Sequence, residues 1–588
     1  MIRVPVDPHF QALLAQEDTD GDRRITVRDG GPRSYALEGY TVQGTYALAN
    51  LLQELALAQE AGQTWLELDP QLLEEPPTRR ISRAIRERCW QGLTRRLDLN
   101  SLETVLHDPK LAGPPRLYLP ADDPRSHAYY AECGAEVVRL PRQITPEFVL
   151  SINQKPGLLG LAVAEEPLPY VVPGGRFNEM YGWDSYFIGL GLLHDGLFDL
   201  ARDMLTHQLY QIRHYGQVLN ANRSYYLTRS QPPFLTRFLK AILDHGPMPL
   251  DWVQQVLRTA MHEYEHVWVG GPRLTPTGLS RYLGQGIGMP PETEPGHYDS
   301  VLRPHAERVG LPLPEFERAY LLRQLDCPEL DAYFVHDRTV RESGHDTSYR
   351  LEGRAANLCT VDLNSLLYAY EVDLAELLER YGEQAGFPKV EVWRGRAARR
   401  RQQIFDLCWD EQAGQFFDYD FLQRDRTHYQ SATGLWPLWA GLATPQQAER
   451  VVAGSTLEKG GLAASSQASR GRLGPTRPPR QWDYPYGWAP HQMMAWEGLT
   501  RYNLGADAWA ERWLRMMTRN AVDFNGLIPE KYDVVEASHE VFAEYGNVGA
   551  DFEYITREGF GWTNASYQIG LDLLSAEQRA ALDQLAGQ

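Results

Sequence analysis

The chain has 588 residues, 43% apolar and 23% charged, which is enough hydrophobic material for a large core and more length than one ordinary domain needs. Its 77 Asp and Glu against 58 Lys and Arg leave a formal charge of −19, which argues against nucleic acid or an anionic membrane as partner, because binding a polyanion requires basic side chains to neutralise phosphates. Five scattered cysteines without CxxC spacing argue against a disulfide framework or a zinc site. The absence of a secretory leader at the amino terminus and of any apolar run near about 18 residues predicts a soluble, cytoplasmic protein.

The first chemical feature in chain order is Asp18-Thr-Asp20-Gly-Asp22-Arg-Arg24-Ile25-Thr-Val-Arg-Asp29. It places carboxylates at loop positions 1, 3, 5 and 12, a backbone carbonyl from Arg24 at position 7 and Ile25 at position 8. That spacing suits the oxygen cage calcium prefers. Against it, Arg23 occupies the place of the usual Gly, and Asp29 is shorter than the usual Glu; a solvated acidic turn is the bland alternative. The spacing predicts amphipathic helices from Tyr46 to Glu60 and from Val361 to Tyr381, with others over Asp199–Arg213, Trp252–Trp268, Arg394–Cys408 and Ala506–Arg519. Gly382 is a stop signal, and Thr444-Pro445 has the form of a helix start. Between residues 63 and 150, Arg116-Leu-Tyr-Leu and Glu136-Val-Val-Arg-Leu read as strands of a small accessory layer. A division into an N-terminal calcium-binding and accessory region, 1–100, and a catalytic region, 101–588, is expected.

Two segments rich in Trp and Gly stand about 300 residues apart: Pro173-Gly-Gly-Arg176-Phe-Asn-Glu-Met-Tyr-Gly-Trp183-Asp184-Ser-Tyr186 and Gln481-Trp482-Asp-Tyr-Pro-Tyr-Gly-Trp488-Ala-Pro490. Aromatic faces beside carboxylates suit a sugar, whose ring CH faces stack on Trp while its hydroxyls bond Asp, Glu and Arg. One Trp in a helical protein is more often core than contact; two long segments weaken that reading. Asp346 lies in Arg341-Glu-Ser-Gly344-His-Asp346-Thr-Ser-Tyr-Arg350, and Glu530 in Ile528-Pro-Glu530-Lys531-Tyr-Asp533. Composition alone cannot select this pair from 77 acids.

Both long segments fit the signatures of the trehalases of glycoside hydrolase family 37 at every defined position, and the chain resembles that family from near residue 10 to near residue 575. The likeness is strongest to the neutral, calcium-loop-containing branch. The resemblance implies a mainly α (α/α)6 toroidal barrel with a small N-terminal calcium-loop element. It also implies hydrolysis of α,α-trehalose to two glucose molecules by a single inverting step, with Asp346 as general acid and Glu530 as general base. It assigns substrate contacts to Arg176, Trp183, Asp184, Asn220, Arg229, Ser230, Gln231, Glu292, Arg341 and Gly344, and by spacing to Glu553. It favours a structural or regulatory Ca2+, not a catalytic one, held by Asp18, Asp20, Asp22, Arg24 and Asp29. The phosphoserine-dependent regulator that docks on a long extension in fungal relatives is expected to be absent. An inverting glucosidase or mannosidase acting on another α-linked disaccharide, or a non-catalytic calcium-dependent sugar-binding protein, are the alternatives. Inversion needs a gap of roughly 6.5–9.5 Å between carboxyls, and an acid protonated near neutral pH, so Asp346 should be buried despite Arg341 and Arg350.

Overall fold

The computed structural model describes residues 1–107, 114–293, 295–382, 386–475 and 477–587. Six helices, Asp184–His194, Leu235–His245, Val361–Tyr381, Trp436–Trp439, Ala489–Tyr502 and Gly561–Leu573, each pack on the next, and the last packs back on the first. This closed ring is the inner layer of the toroid. Its members are buried around most of their circumference: Val361–Tyr381 hides not only its leucines but also Asp362, Asn364, Glu371 and Asp373. A helix wetted on one side would show a single apolar stripe instead.

Outer helices lie over this ring. Phe198–Tyr215 packs on the first two inner helices, Leu250–Glu263 on the second and third, Val390–Cys408 on the third, and Ala506–Asp523 on the fifth and sixth. Trp90, in the segment Pro77–Leu93, is seated against Gly191, where an added Cβ would come within 2.8 Å of its ring. The helix at Thr444-Pro445 begins with a complete capping box between Thr444 and Gln447. The expected helix over Trp252–Trp268 starts at Leu250 and ends in a wider turn, Tyr264–Trp268.

Ahead of the barrel, Val6–Glu17 and Thr45–Glu60 pack with two strand pairs, Ile2–Pro5 on Trp65–Leu68 and Ser34–Leu37 on Tyr40–Gln43. Their side chains form a core of their own running from Val4 to Leu73, whereas the main core begins at Ile81. The accessory layer between residues 63 and 150 is present: Arg116–Leu119 runs parallel to both Glu136–Arg139 and Leu158–Leu159.

Candidate active site

The aromatic segments and both acid-bearing segments converge at the rim where the inner helices begin. Asp184 is the first residue of the first inner helix, and Arg229–Gln231 lead into the second. The Asp346 turn precedes the third, Trp482 and Trp488 precede the fifth, and Glu530 precedes the sixth, whose second residue is Trp562. Short inner helices joined by long rim loops therefore bring distant residues onto one floor.

Asp346 follows the helix Pro328–Glu342 through a turn at Gly344, where φ is +75° and a Cβ would stand 2.8 Å from the Trp183 ring. Only glycine satisfies both conditions. Burial pushes the Asp346 carboxyl up to about 7, against the opposing pull of Arg341, whose Nη1 is 3.7 Å away. Arg341 does not collapse onto the acid because it is tethered elsewhere: its Nε donates to Asp337 at 3.0 Å and its Nη2 to the Tyr298 hydroxyl at 3.0 Å. Arg350 is spent on Asp362 and Asp418, at 2.8 and 2.6 Å. Neither guanidinium therefore removes the acid's proton.

Glu530 is fixed by its backbone. Its N–H donates to Val548 O at 2.8 Å, and its carbonyl accepts from Trp562 Nε1 at 3.1 Å and Thr563 Oγ1 at 3.2 Å. Lys531 Nζ is 2.5 Å from its Oε2 and also lies 4.9 Å from the Trp488 ring centroid. The strand Lys531–Asp533 pairs with Tyr486–Trp488, so this acid and the stacked Trp482–Trp488 pair, 3.9 Å apart, share one scaffold. Asp184 lies between the two acids electrostatically: burial first, then the charges of Glu530 and Asp346, raise its carboxyl well above the ordinary range.

Arg229 pairs with Glu292, whose Oε1 is also 3.8 Å from Arg341 Nε, while Glu292 Oε2 and Arg229 Nε are buried without partners among the described residues. Trp183 packs against Trp482 and Trp562 at 5.7 and 5.9 Å. Asn220, Ser230 and Gln231 frame this site by spending their polar atoms on backbone. Asn220 Nδ2 donates to Arg341 O at 3.0 Å, Ser230 Oγ to Val218 O at 2.7 Å, and Gln231 Oε1 accepts from Trp183 N at 2.8 Å.

Two expected contacts lie elsewhere. Arg176 is exposed, with its guanidinium 5.3 Å over Phe177. Glu553 is also exposed and pairs with Arg23 at 3.0 Å, because its loop has already turned toward the N-terminal region. The inward acid of that loop is Glu544, which accepts from Thr347 Oγ1 and from Gln481 N and stands 3.5 Å from Arg480. Tyr545 follows it, with Arg341 and Asp346 as charged neighbours. The only signal for Glu544 in the sequence is its own Glu-Tyr dipeptide, duplicated at Glu553-Tyr554.

In the N-terminal loop, oxygens of Asp18, Asp20 and Asp22 lie within 4.8 Å of one another. Arg23, at the usual glycine position, adopts the left-handed turn with φ 67°. Burial and the nearby charges of Asp22 and Asp29 raise the Asp18 carboxyl, as expected for acids gathered to share a cation. These residues fit calcium. Asp29 stands outside that group of three; its two oxygens accept from Thr19 N and Thr26 N, both at 2.8 Å, as those of Asp18 accept from Gly21 N and Arg23 N at 2.8 and 3.0 Å.

Comparison with known proteins agrees with this geometry. The family description Trehalase matches residues 62–575, and Neutral trehalase Ca2+ binding domain matches residues 10–38. The chain is 46% identical to a cytosolic neutral trehalase of Emericella nidulans, covering 98% of this chain and 84% of that protein. It is 45% identical to the cytosolic neutral trehalase of Saccharomyces cerevisiae, with the same two coverages, 98% and 84%. The solved structure of neutral trehalase Nth1 from Saccharomyces cerevisiae superposes with a TM-score of 0.80 at 44% identity, covering 87% of this chain and 96% of that one.

Proposed function

This chain belongs to the trehalase family and hydrolyses α,α-trehalose to two glucose molecules, and we propose that Asp346 and Glu530 carry the single inverting step. Asp346 donates its proton to the bridging oxygen while Glu530 takes a proton from the water that attacks the anomeric carbon from the opposite face. The observation that carries the assignment is the contrast between the two acids: burial pushes Asp346 up to about 7, whereas Glu530 is held by three backbone hydrogen bonds beside Lys531. Arg229, Arg341, Glu292 and Asp184 bind sugar hydroxyls, and Trp183, on which Gly344 rests, forms an apolar wall. Arg176, which the resemblance also assigns to the sugar, is exposed in this structure, and the kinetics of its alanine variant test that assignment.

Calcium supplies charge neutralisation for Asp18, Asp20 and Asp22 and takes no part in bond cleavage. A division between Leu73 and Ile81, in place of residue 100, is supported by the change there from one core to the other. A cytoplasmic location is supported by the cytosolic relatives. Proton NMR of fresh product tests the mechanism: one α- and one β-glucose per trehalose are expected, and Glu530→Gln should lower turnover at least about 100-fold. Product that is all α at early times contradicts inversion.

A further inference from the structure

His345 is wedged between Gly344 and the acid Asp346, and like His491 it is only 2% exposed. Its Nδ1 lies 2.9 Å from Ser343 O. A carbonyl can only accept, so Nδ1 carries the proton, and in a neutral ring Nε2 is then a bare lone pair. That Nε2 is 3.1 Å from His491 Nε2. The contact is a hydrogen bond only if His491 donates, which makes His491 the Nε2–H tautomer with a bare Nδ1. Among the described residues, His491 Nδ1 is the ring atom that has no partner. One hydrogen-bond chain thus runs from helix Ala489–Tyr502 to the turn that bears the acid: His491 Nε2–H to His345 Nε2, then His345 Nδ1–H to Ser343 O.

The surroundings keep this arrangement neutral. Trp482 contacts both rings, with centroids 4.9 Å from His345 and 5.4 Å from His491, and Trp436 lies 6.0 and 6.2 Å from them. Trp183 closes the His345 side at 5.5 Å. The charged groups facing the pair are Arg350 and Asp362, the latter 3.8 Å from His345 Nδ1 but already paired with Arg350, which also holds Asp418. Burial, with Arg350, holds both imidazoles well below their ordinary range. A second proton would set N–H against N–H across 3.1 Å and break the contact.

We propose that His491 is a positioning residue for the general acid: its Nε2–H, donated to His345, fixes the Ser343–Asp346 turn and aims the Asp346 carboxyl at the bridging oxygen. The inference rests on Asp346 being that acid. Proton donation matters for trehalose, whose leaving group is a sugar alkoxide, and far less for α-glucosyl fluoride, whose leaving fluoride departs without full protonation. Misaiming the acid therefore damages the first reaction selectively, which general destabilisation would not do.

The test compares His491→Phe, which deletes the donor, with His491→Gln, whose amide N–H can replace it. On trehalose, His491→Phe should lower kcat about tenfold or more with KM within about twofold, since small misplacements of a reacting group carry large penalties. On α-glucosyl fluoride it should stay within about threefold of the unaltered enzyme, and His491→Gln should recover most of the trehalose activity. Equal losses on both substrates, or no loss on either, overturn the inference. Asp346→Asn is run alongside: if it too loses both substrates equally, the acid assignment itself fails, whereas a substrate split there without one in His491→Phe sinks only the positioning role. Should His491→Phe not fold, nitrogen-15 NMR of the histidine-labelled enzyme decides, with His491 protonated at Nε2 in support and at Nδ1 against.

Discussion

Asp346→Asn exchanges the acid for an amide of the same shape that cannot ionise, and it separates what the carboxyl does for catalysis from what it costs the fold. The folded carboxyl is raised from 3.8 to about 7 by burial. Between those two pH values the unfolded chain is ionised while the folded one stays protonated, so stability falls as pH rises through this window and levels off above about 7. Three units at about 1.36 kcal/mol each give about 4 kcal/mol for a fully desolvated group. The side chain keeps 34% of its surface open, and water there screens the charge, which brings the expected penalty to about 1–2 kcal/mol. The amide escapes it. Calorimetry should show Asp346→Asn melting about 1–2 °C above the unaltered enzyme at pH 8, with the difference shrinking toward pH 4. Its turnover should nevertheless fall at least about 100-fold, and turnover of the unaltered enzyme should decline above about pH 7 as the acid loses its proton. A variant less stable at pH 8, or a melting difference indifferent to pH, would refute burial as the origin of the raised carboxyl.

Glu544→Gln should lower kcat/KM by about tenfold or more, because the charge-assisted bonds to Thr347 and Gln481 support the acid's neighbour, while Glu553→Gln should leave steady-state kinetics unchanged at saturating calcium. Arg229→Ala strips the partner from buried Glu292 and should cost both activity and about 3–5 kcal/mol of stability, read as a lowered Tm. Exposed Arg176→Ala should keep the Tm while losing about tenfold in kcat/KM, a charge-assisted bond formed only with substrate; unchanged kinetics would place Arg176 outside the pocket. Calcium at about 100 times its Kd should add about 2.7 kcal/mol to the folded state, visible as a higher Tm than in chelator, and Asp18→Ala should abolish the shift.

Local chemistry was readable from the sequence wherever a short stretch determines its own shape. The 3.6-residue period gave Val361–Tyr381 its observed limits, and Thr444-Pro445 its cap. Gly344 marked the acid's turn because a left-handed backbone pressed against Trp183 admits no side chain. What escaped depends on which way a loop turns. Glu544-Tyr545 and Glu553-Tyr554 are the same dipeptide, and only the fold sends the first toward Thr347 and the second toward Arg23. Asp29 sits at ligand spacing, yet its side chain is one methylene shorter than the usual Glu and stands outside the group that Asp18, Asp20 and Asp22 form. The His345–His491 contact joins residues 146 positions apart, a separation no local pattern reports.

The same loop explains how a calcium site remote in sequence reaches the chemistry. Arg24, two residues beyond the clustered acids, donates from Nη1 to Ala550 O at 2.9 Å and lies 5.1 Å over the Phe552 ring. Two residues before Ala550, Val548 O receives the N–H of Glu530, and Asn547 receives and returns hydrogen bonds with Lys531. The distance from metal loop to catalytic base is thus a few residues of one segment. The Arg24 contacts are worth on the order of 1 kcal/mol each, and the exposed Arg23–Glu553 pair is screened by water and adds little. Links of that size cannot hold the 544–554 segment rigid or release it outright. They bias it. Without calcium, repulsion among Asp18, Asp20 and Asp22, the last paired with Arg24 at 2.6 Å, should loosen Arg24's anchorage and lower the fraction of molecules with Glu530 correctly seated by a factor, not to zero, because Trp562 and Thr563 still hold its carbonyl from the barrel side. The expected outcome is a kcat that chelator lowers by a factor without abolishing it, measured with and without calcium; an unchanged kcat would confine calcium to stability.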